Sequence, residues 1–312
     1  MAQIVPSTSY DHIVLLTDLT SRSDSALSYA RAFAQYFGSR LTLLHALHKR
    51  SKFELPDSRA ENGREMKKAR AELEAIADGL KSLNINAHID VCETAVPSDG
   101  ILGRLDHIGP DLVIQGTAGI DDPRRALVGS AAESIFRRCT IPVLTVQAQV
   151  MPFMQKGLHF DRILFFTNFG SQSINAAIYA LSLAEEFRAR ITFCHVYDGA
   201  TASWNKDTIK DYFERTLAHR IPSEVKDWCD PESLVLFGDV DAEIRRFTKQ
   251  QSPDLVITAA HALGPMGTRG KPGTAFKIVA SAECPVLTLL GKAVKHEHPV
   301  YPDNCPELQI IG

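Results

Sequence analysis

Asp11–His45 (DHIVLLTDLTSRSDSALSYARAFAQYFGSRLTLLH) aligns without gaps on Asp161–His195 (DRILFFTNFGSQSINAAIYALSLAEEFRARITFCH). About a third of the positions are identical, among them Thr17/Thr167, Ser21/Ser171, Tyr29/Tyr179, Phe37/Phe187 and His45/His195. Further along, Pro110–Ile114 and Pro253–Ile257 both read PDLVI, and Ile141–Thr145 (IPVLT) returns as Cys284–Thr288 (CPVLT). A repeat of this period in a chain of 312 residues implies two copies of one fold. Each copy is long enough to bury its own core.

Each copy alternates short apolar runs with helical patterns. In the first, Ile13–Leu16, Arg40–Leu44, Ala87–Cys92, Asp111–Gln115 and Val143–Val146 read as strands. Ile13–Leu16 has no polar alternation, as expected of a strand covered on both faces. Helices are expected over Ser23–Phe37, Arg59–Leu83, Ser98–Ile108 and Ser130–Arg138. In the first of these, Ala26, Tyr29, Ala30, Phe33 and Phe37 fall at helical spacing. The second copy begins at Arg162, with a shorter middle helix around Trp204–His219. Strands alternating with helices predict an α/β fold: two repeated doubly wound parallel-sheet (Rossmann-like) domains. The expected domains are 1–150 and 158–291, with Gln147–Phe160 as the linker and 292–312 as an extended tail. Ligands of such sheets sit at the carboxyl ends of the strands.

One loop carries a chemical signal. After the fourth strand comes GTAGIDDPRRALVGSAAES, with Gly116-x2-Gly119-x9-Gly129-Ser130. Glycines let backbone approach a ligand with no Cβ in the way. Gly129-Ser130 opens a helix, whose free N–H groups and dipole suit a phosphate. The Ser130 hydroxyl suits either a helix cap or a phosphate oxygen. Arg124 and Arg125 either neutralise phosphate or lie in a solvated loop. Asp121 and Asp122 fit a turn before Pro123 better than a magnesium site.

This spacing resembles the G-x2-G-x9-G-[S/T] signature of ATP-binding universal stress proteins. The first strand ending in Thr17-Asp18 and the second ending in His45 resemble that family too, over about residues 10–148 and 160–290. The resemblance implies an ATP site in the first domain, with Mg2+ or Mn2+ held through the phosphates. It assigns the site to Thr17, Asp18, Ala46, Gly116, Gly119, Arg124, Arg125, Gly129, Ser130 and Ala131. Asp18 would lie near adenine or ribose, although a turn-forming role is the competing reading. Ala46 would contribute backbone. The resemblance also implies that the two halves pair through their last strands, Val143–Val146 and Val286–Leu289, as an intramolecular pseudo-dimer. Pairing would cover two apolar sheet edges. Homodimers of whole chains are a compatible further step.

The second half departs from the signature. Gly273-Thr274 survives, but Ala259 and Ala262, or Ala260 and Leu263 on the other alignment, replace the leading glycines. Asn168 stands where the first half has Asp18. Weak or absent ATP binding is expected there. His45 and His195, equivalent in the repeat, suggest a shared structural role rather than a catalytic base.

Other classes are less well supported. A net charge of −3 argues against a nucleic-acid partner. No apolar run approaches the roughly 20 residues of a membrane span, and no signal peptide is evident, so a cytoplasmic protein is expected. Cysteines 92, 139, 194, 229, 284 and 305 form no CxxC or zinc spacing and read as free thiols. The leading expectation is a stress-response or regulatory protein that binds an adenine nucleotide and signals to an unidentified protein partner. The alternatives are a slow ATPase or phosphotransferase, for which no catalytic residue stands out, and an interaction module that binds no nucleotide.

Overall fold

The computed structural model describes residues 8–49, 57–117, 130–150, 157–167, 171–197, 206–221, 225, 229, 231–260 and 274–290. The first half runs β1 (His12–Leu16), α1 (Asp24–Phe37), β2 (Arg40–His48), α2 (Asp57–Lys81), β3 (Ala87–Thr94), α3 (Pro97–Ile108), β4 (Leu112–Thr117), α4 (Ser130–Arg138) and β5 (Val143–Gln147). The second runs β6 (Arg162–Phe166), α5 (Ser171–Phe187), β7 (Arg190–Tyr197), α6 (Lys206–Arg220), β8 (Glu232–Phe237), α7 (Val240–Gln251), β9 (Leu255–Ala260), α8 (Thr274–Ser281) and β10 (Val286–Leu290).

All these strands belong to one sheet, in the order β3-β2-β1-β4-β5-β10-β9-β6-β7-β8. Within each half the pairs are parallel. The single antiparallel pair among them is β5 with β10, where Leu144 faces Leu287, flanked by Thr145 with Val286 and Val143 with Thr288. The halves therefore form the expected pseudo-dimer, and neither apolar edge is left open.

The sheet is covered on both faces. One core sets Phe33 of α1, Leu73 of α2, Ala180 of α5 and Phe213 of α6 against Leu41, Ile114, Phe165 and Leu287. The other sets Leu105 of α3, Phe136 of α4, Ile244 of α7 and Ile278 of α8 against Val14, Val113, Val256 and Val286. Both cores are continuous across the two halves. Local signals explain the helix ends. Gly38 closes α1 and Gly109 closes α3 in the left-handed conformation, at φ 69° and 59°. Pro97 stands in the first turn of α3, where no N–H is needed.

Rings tie the halves together on the α1 and α5 side. Phe160 packs against Phe33 and Phe187, the Tyr10 and Tyr179 hydroxyls meet at 2.5 Å, and Tyr36 donates to Glu186 at 3.1 Å. Val150, Leu158 and Phe160 of the expected linker are buried in this core. The repeated PDLVI also gains a reason. Asp111 accepts hydrogen bonds from the N–H groups of Asp11 and His12, and Asp254 accepts them from Asp161 and Arg162. Each carboxylate ties the entry of β1 or β6 to the entry of the neighbouring strand.

Several strand limits differ from expectation, most of all the carboxyl ends of β2, β3 and β4. β2 continues through His45 and Ala46 to His48, because those residues keep pairing with Val91, Cys92 and Thr94 of β3. β4 continues through Gly116 and Thr117, which pair with Val146 and Gln147 of β5. Gly116 thus lies within a strand instead of opening the loop. Trp204, expected in α6, and the tail lie outside the described residues.

Candidate functional site

A cleft of about 260 Å³ opens on the α3 and α4 side of the first half, at the carboxyl ends of β1, β2 and β4. It lies where the strand order reverses, between β1 and β4, the position at which such sheets take ligands. Its walls come from Thr17 and Asp18 after β1, His45 and Ala46 of β2, Pro97 and Ile101 of α3, Gln115–Thr117 of β4, and Ala131, Ala132 and Ile135 of α4.

The loop after β1 is built around Asp18. Its Oδ1 accepts from the Thr20 N–H at 3.0 Å, the Thr20 hydroxyl at 2.7 Å and the Ser23 hydroxyl at 2.7 Å. Burial pushes the carboxyl pKa up, but the bonds from Thr20 and Ser23 and the nearby Arg22 outweigh it and hold the pKa below the usual value. Asp18 is therefore a fixed carboxylate on the cleft wall, and it forms the turn as well. Leu19 turns the chain at φ 58°, a conformation uncommon outside glycine. Arg22 also lines the cleft.

Gly116 makes the close approach expected of it, but to its own chain. A Cβ there would lie 2.8 Å from the Arg22 carbonyl oxygen and 3.3 Å from the Ser23 Cα. Backbone after β1 alone therefore excludes a Cβ at this position, which still lines the cleft. Ala259 holds the matching place on β9.

Gln115 fixes the other wall. Its Nε2 donates to the Ala132 carbonyl at 3.1 Å and to Thr145 Oγ1 at 3.1 Å, pinning the start of α4 to the sheet. His45 Nδ1 lies 2.8 Å from the Thr17 carbonyl, and His195 Nδ1 lies 2.8 Å from the Thr167 carbonyl. A carbonyl only accepts, so Nδ1 carries the proton in both. Both histidines hold the strand end beside them, which is the repeated structural role expected. Burial lowers the His195 pKa, against the raising effect of its bond to Thr167.

Of the expected site residues, the fold brings Thr17, Asp18, Ala46, Gly116 and Ala131 to one cleft. Ser130 begins α4. Gly119, Arg124, Arg125 and Gly129, with Asp121 and Asp122, lie outside the described residues. Sequence reasoning missed Gln115, Thr117, Arg22, Pro97 and Ile101. The first two were detectable: β alternation puts positions 115 and 117 on one face of a strand that continues to Thr117.

Among the described residues no three of His, Cys, Asp or Glu converge as metal ligands, and no helix is long and apolar enough to cross a membrane. Cys92, Cys139, Cys194 and Cys284 are buried free thiols, and burial pushes each pKa up, that of Cys139 to about 11. They are poor nucleophiles.

A model of the universal stress protein family matches residues 9–147 and again 159–289. The chain belongs to the universal stress protein family. A Staphylococcus aureus (strain USA300) protein assigned by name to this family is 28% identical over 151 residues, covering 46% of this chain and 88% of its own. The tandem architecture recurs in a universal stress protein from Archaeoglobus fulgidus DSM 4304. That structure superposes at a TM-score of 0.70 with 16% identity, over 90% of this chain and 98% of its own. A universal stress protein from Archaeoglobus fulgidus solved in complex with dAMP matches at 18% identity over 44% of this chain and 98% of its own, TM-score 0.34. At that score the likeness says nothing about a ligand in this chain.

Proposed function

We propose that this universal stress protein binds an adenine nucleotide, ATP foremost, in the cleft of its first half, and acts as a stress-response regulator whose bound state a protein partner reads. The observation that supports this most is a coincidence of place. The cleft at the sheet's switch point is walled by the first turn of α4, the helix that the G-x2-G-x9-G-S segment leads into. The first-turn N–H groups of a helix are unsatisfied donors at the positive end of its dipole, a setting for phosphate. At the opposite wall, the Asp18 carboxylate suits ribose hydroxyls and disfavours phosphate.

In this reading Thr17, Asp18 and Ala46 meet the nucleoside. Gly116, Ala131 and Ser130, with Gly119, Arg124, Arg125 and Gly129 of the loop, meet the phosphates. Mg2+ or Mn2+, when bound, would neutralise phosphate charge and be held by the phosphates themselves. Residues 1–150 form the ligand-bearing domain and 158–291 its pairing partner, with 292–312 a separate tail, in a cytoplasmic protein. Nucleotide would act by binding one conformation better than another.

The test is nucleotide analysis of gently purified protein, followed by calorimetric titration of the stripped protein with ATP. About one equivalent per chain, lost in Gly129→Val, is expected. Two equivalents would contradict the reading of the second half. No binding at millimolar ATP would favour the interaction module, and turnover with Mg2+ would favour an ATPase.

A further inference from the structure

We propose that the Thr117 hydroxyl is a ligand-positioning group of this cleft, donating a hydrogen bond to a phosphate oxygen of the bound nucleotide; this rests on the nucleotide reading above. Thr117 lines the cleft at the end of β4 and is only 4% exposed. Its Oγ1 is buried and has no hydrogen-bond partner among the described residues. A buried hydroxyl without a partner is destabilising, and folded proteins rarely keep one. Valine would fill the same space without that cost.

Three nearby hydroxyls already take part in hydrogen bonds within the protein, although the buried Oε1 of Gln147, paired with Thr117 across β4 and β5, has no partner among the described residues either. Thr17 Oγ1 accepts from the Leu19 N–H, the Ser23 hydroxyl donates to Asp18, and Thr145 Oγ1 accepts from Gln115. The Thr117 carbonyl accepts from the Ala148 N–H, so its backbone is committed as well. Its side-chain oxygen, on a residue that lines the cleft, is left without a partner among the described residues. The second half supplies a comparison within the same chain. The position equivalent to Thr117 is Ala260 on β9, 1% exposed, and no hydroxyl is kept there. The orphan hydroxyl therefore goes with the half that carries the glycine signature.

The polarity of the cleft decides which ligand group it meets. Asp18 places a carboxylate on the β1 wall, whereas Thr117 shares its wall with Ala131 and Ala132 in the first turn of α4. A hydroxyl beside helix N-terminal donors meets an anionic oxygen as a donor.

The experiment is calorimetric titration of the full chain with ATP and with adenosine, in the wild type, Thr117→Val and Thr117→Ser, with melting curves of the ligand-free proteins. A hydrogen bond to a charged oxygen predicts ATP binding weaker by about tenfold or more in Thr117→Val. Adenosine binding should be unchanged, Thr117→Ser should bind ATP nearly as the wild type does, and ligand-free Thr117→Val should melt no lower than the wild type. ATP affinity within twofold of wild type in Thr117→Val would overturn the inference while leaving the nucleotide reading intact. So would an equal loss for adenosine, or a lowered ligand-free melting temperature, which marks a structural role. A wild type that binds neither compound would remove the nucleotide reading, and the inference with it.

Discussion

His195 shows how a single buried side chain can set pH sensitivity. Its Nδ1–H holds the Thr167 carbonyl at 2.8 Å, and burial lowers its pKa from the ordinary 6.5. The unfolded chain therefore takes up the proton first as pH falls. Stability contributed by neutral His195 is present above about pH 6.5 and is lost as pH drops through that value towards the folded pKa. His195→Asn keeps an N–H donor but does not titrate. The urea midpoint of this variant should fall less between pH 7.5 and pH 5.5 than that of the wild type. His12, also lowered by burial, leaves some slope in place. An unchanged pH slope would show that His195 does not carry this dependence. The repeat made the paired role of His45 and His195 legible, because two copies of one residue at one strand position point to geometry. The reason for Gly116 was not legible. Its neighbour, the Arg22 carbonyl, is supplied by a fold contact across almost a hundred residues. Asp18 was legible both as a turn former and as a cleft residue, and it is both.

At the scale of elements, strand order is held by carboxylates as well as by apolar packing. Asp111 and Asp254 each accept two backbone N–H groups at 2.8–2.9 Å, from residues nearly a hundred positions away. Asp111→Ala should lower stability by about 1–3 kcal/mol, measured as a urea midpoint, because it leaves two donors without their charged acceptor. Asp111→Asn should lose less, since an amide oxygen still accepts. A midpoint for Asp111→Ala equal to the wild type would mean that water replaces the carboxylate at no cost. The PDLVI recurrence was plain in the sequence, but its aspartate read only as strand-flanking. The partners that explain it lie on another strand, and local pattern says nothing of them. The same limit shortened β2 and β4. Sequence periodicity stops at a histidine or a glycine, whereas pairing with β3 and β5 carries both strands two or more residues further.

At the scale of the molecule, the two halves share both of their hydrophobic cores. Leu144 and Leu287, face to face on the central strands, are 1% and 2% exposed. Separating the halves would expose this pair and the Tyr10, Phe33, Phe160 and Phe187 rings together, each large apolar side chain worth about 1.5–3 kcal/mol of burial. The repeat predicts two units by count, whereas the shared cores predict one unit by energetics, and unfolding distinguishes them. Leu41 is fully buried in the first half, on β2 and away from the central strands. Both tryptophans, Trp204 and Trp228, belong to the second half of the sequence. Leu41→Ala should cost about 2–5 kcal/mol by leaving a cavity. If the halves unfold as one body, that loss reaches the other half. The melting temperature read by tryptophan emission should then fall by roughly 3–8 °C, together with the one read by far-ultraviolet circular dichroism. A tryptophan transition unmoved while the dichroism curve splits in two would show two domains that merely touch. A common fall means that any ligand stabilising the first half also stabilises the second, even though the second lacks Asp18, Gly116 and Thr117 counterparts of its own.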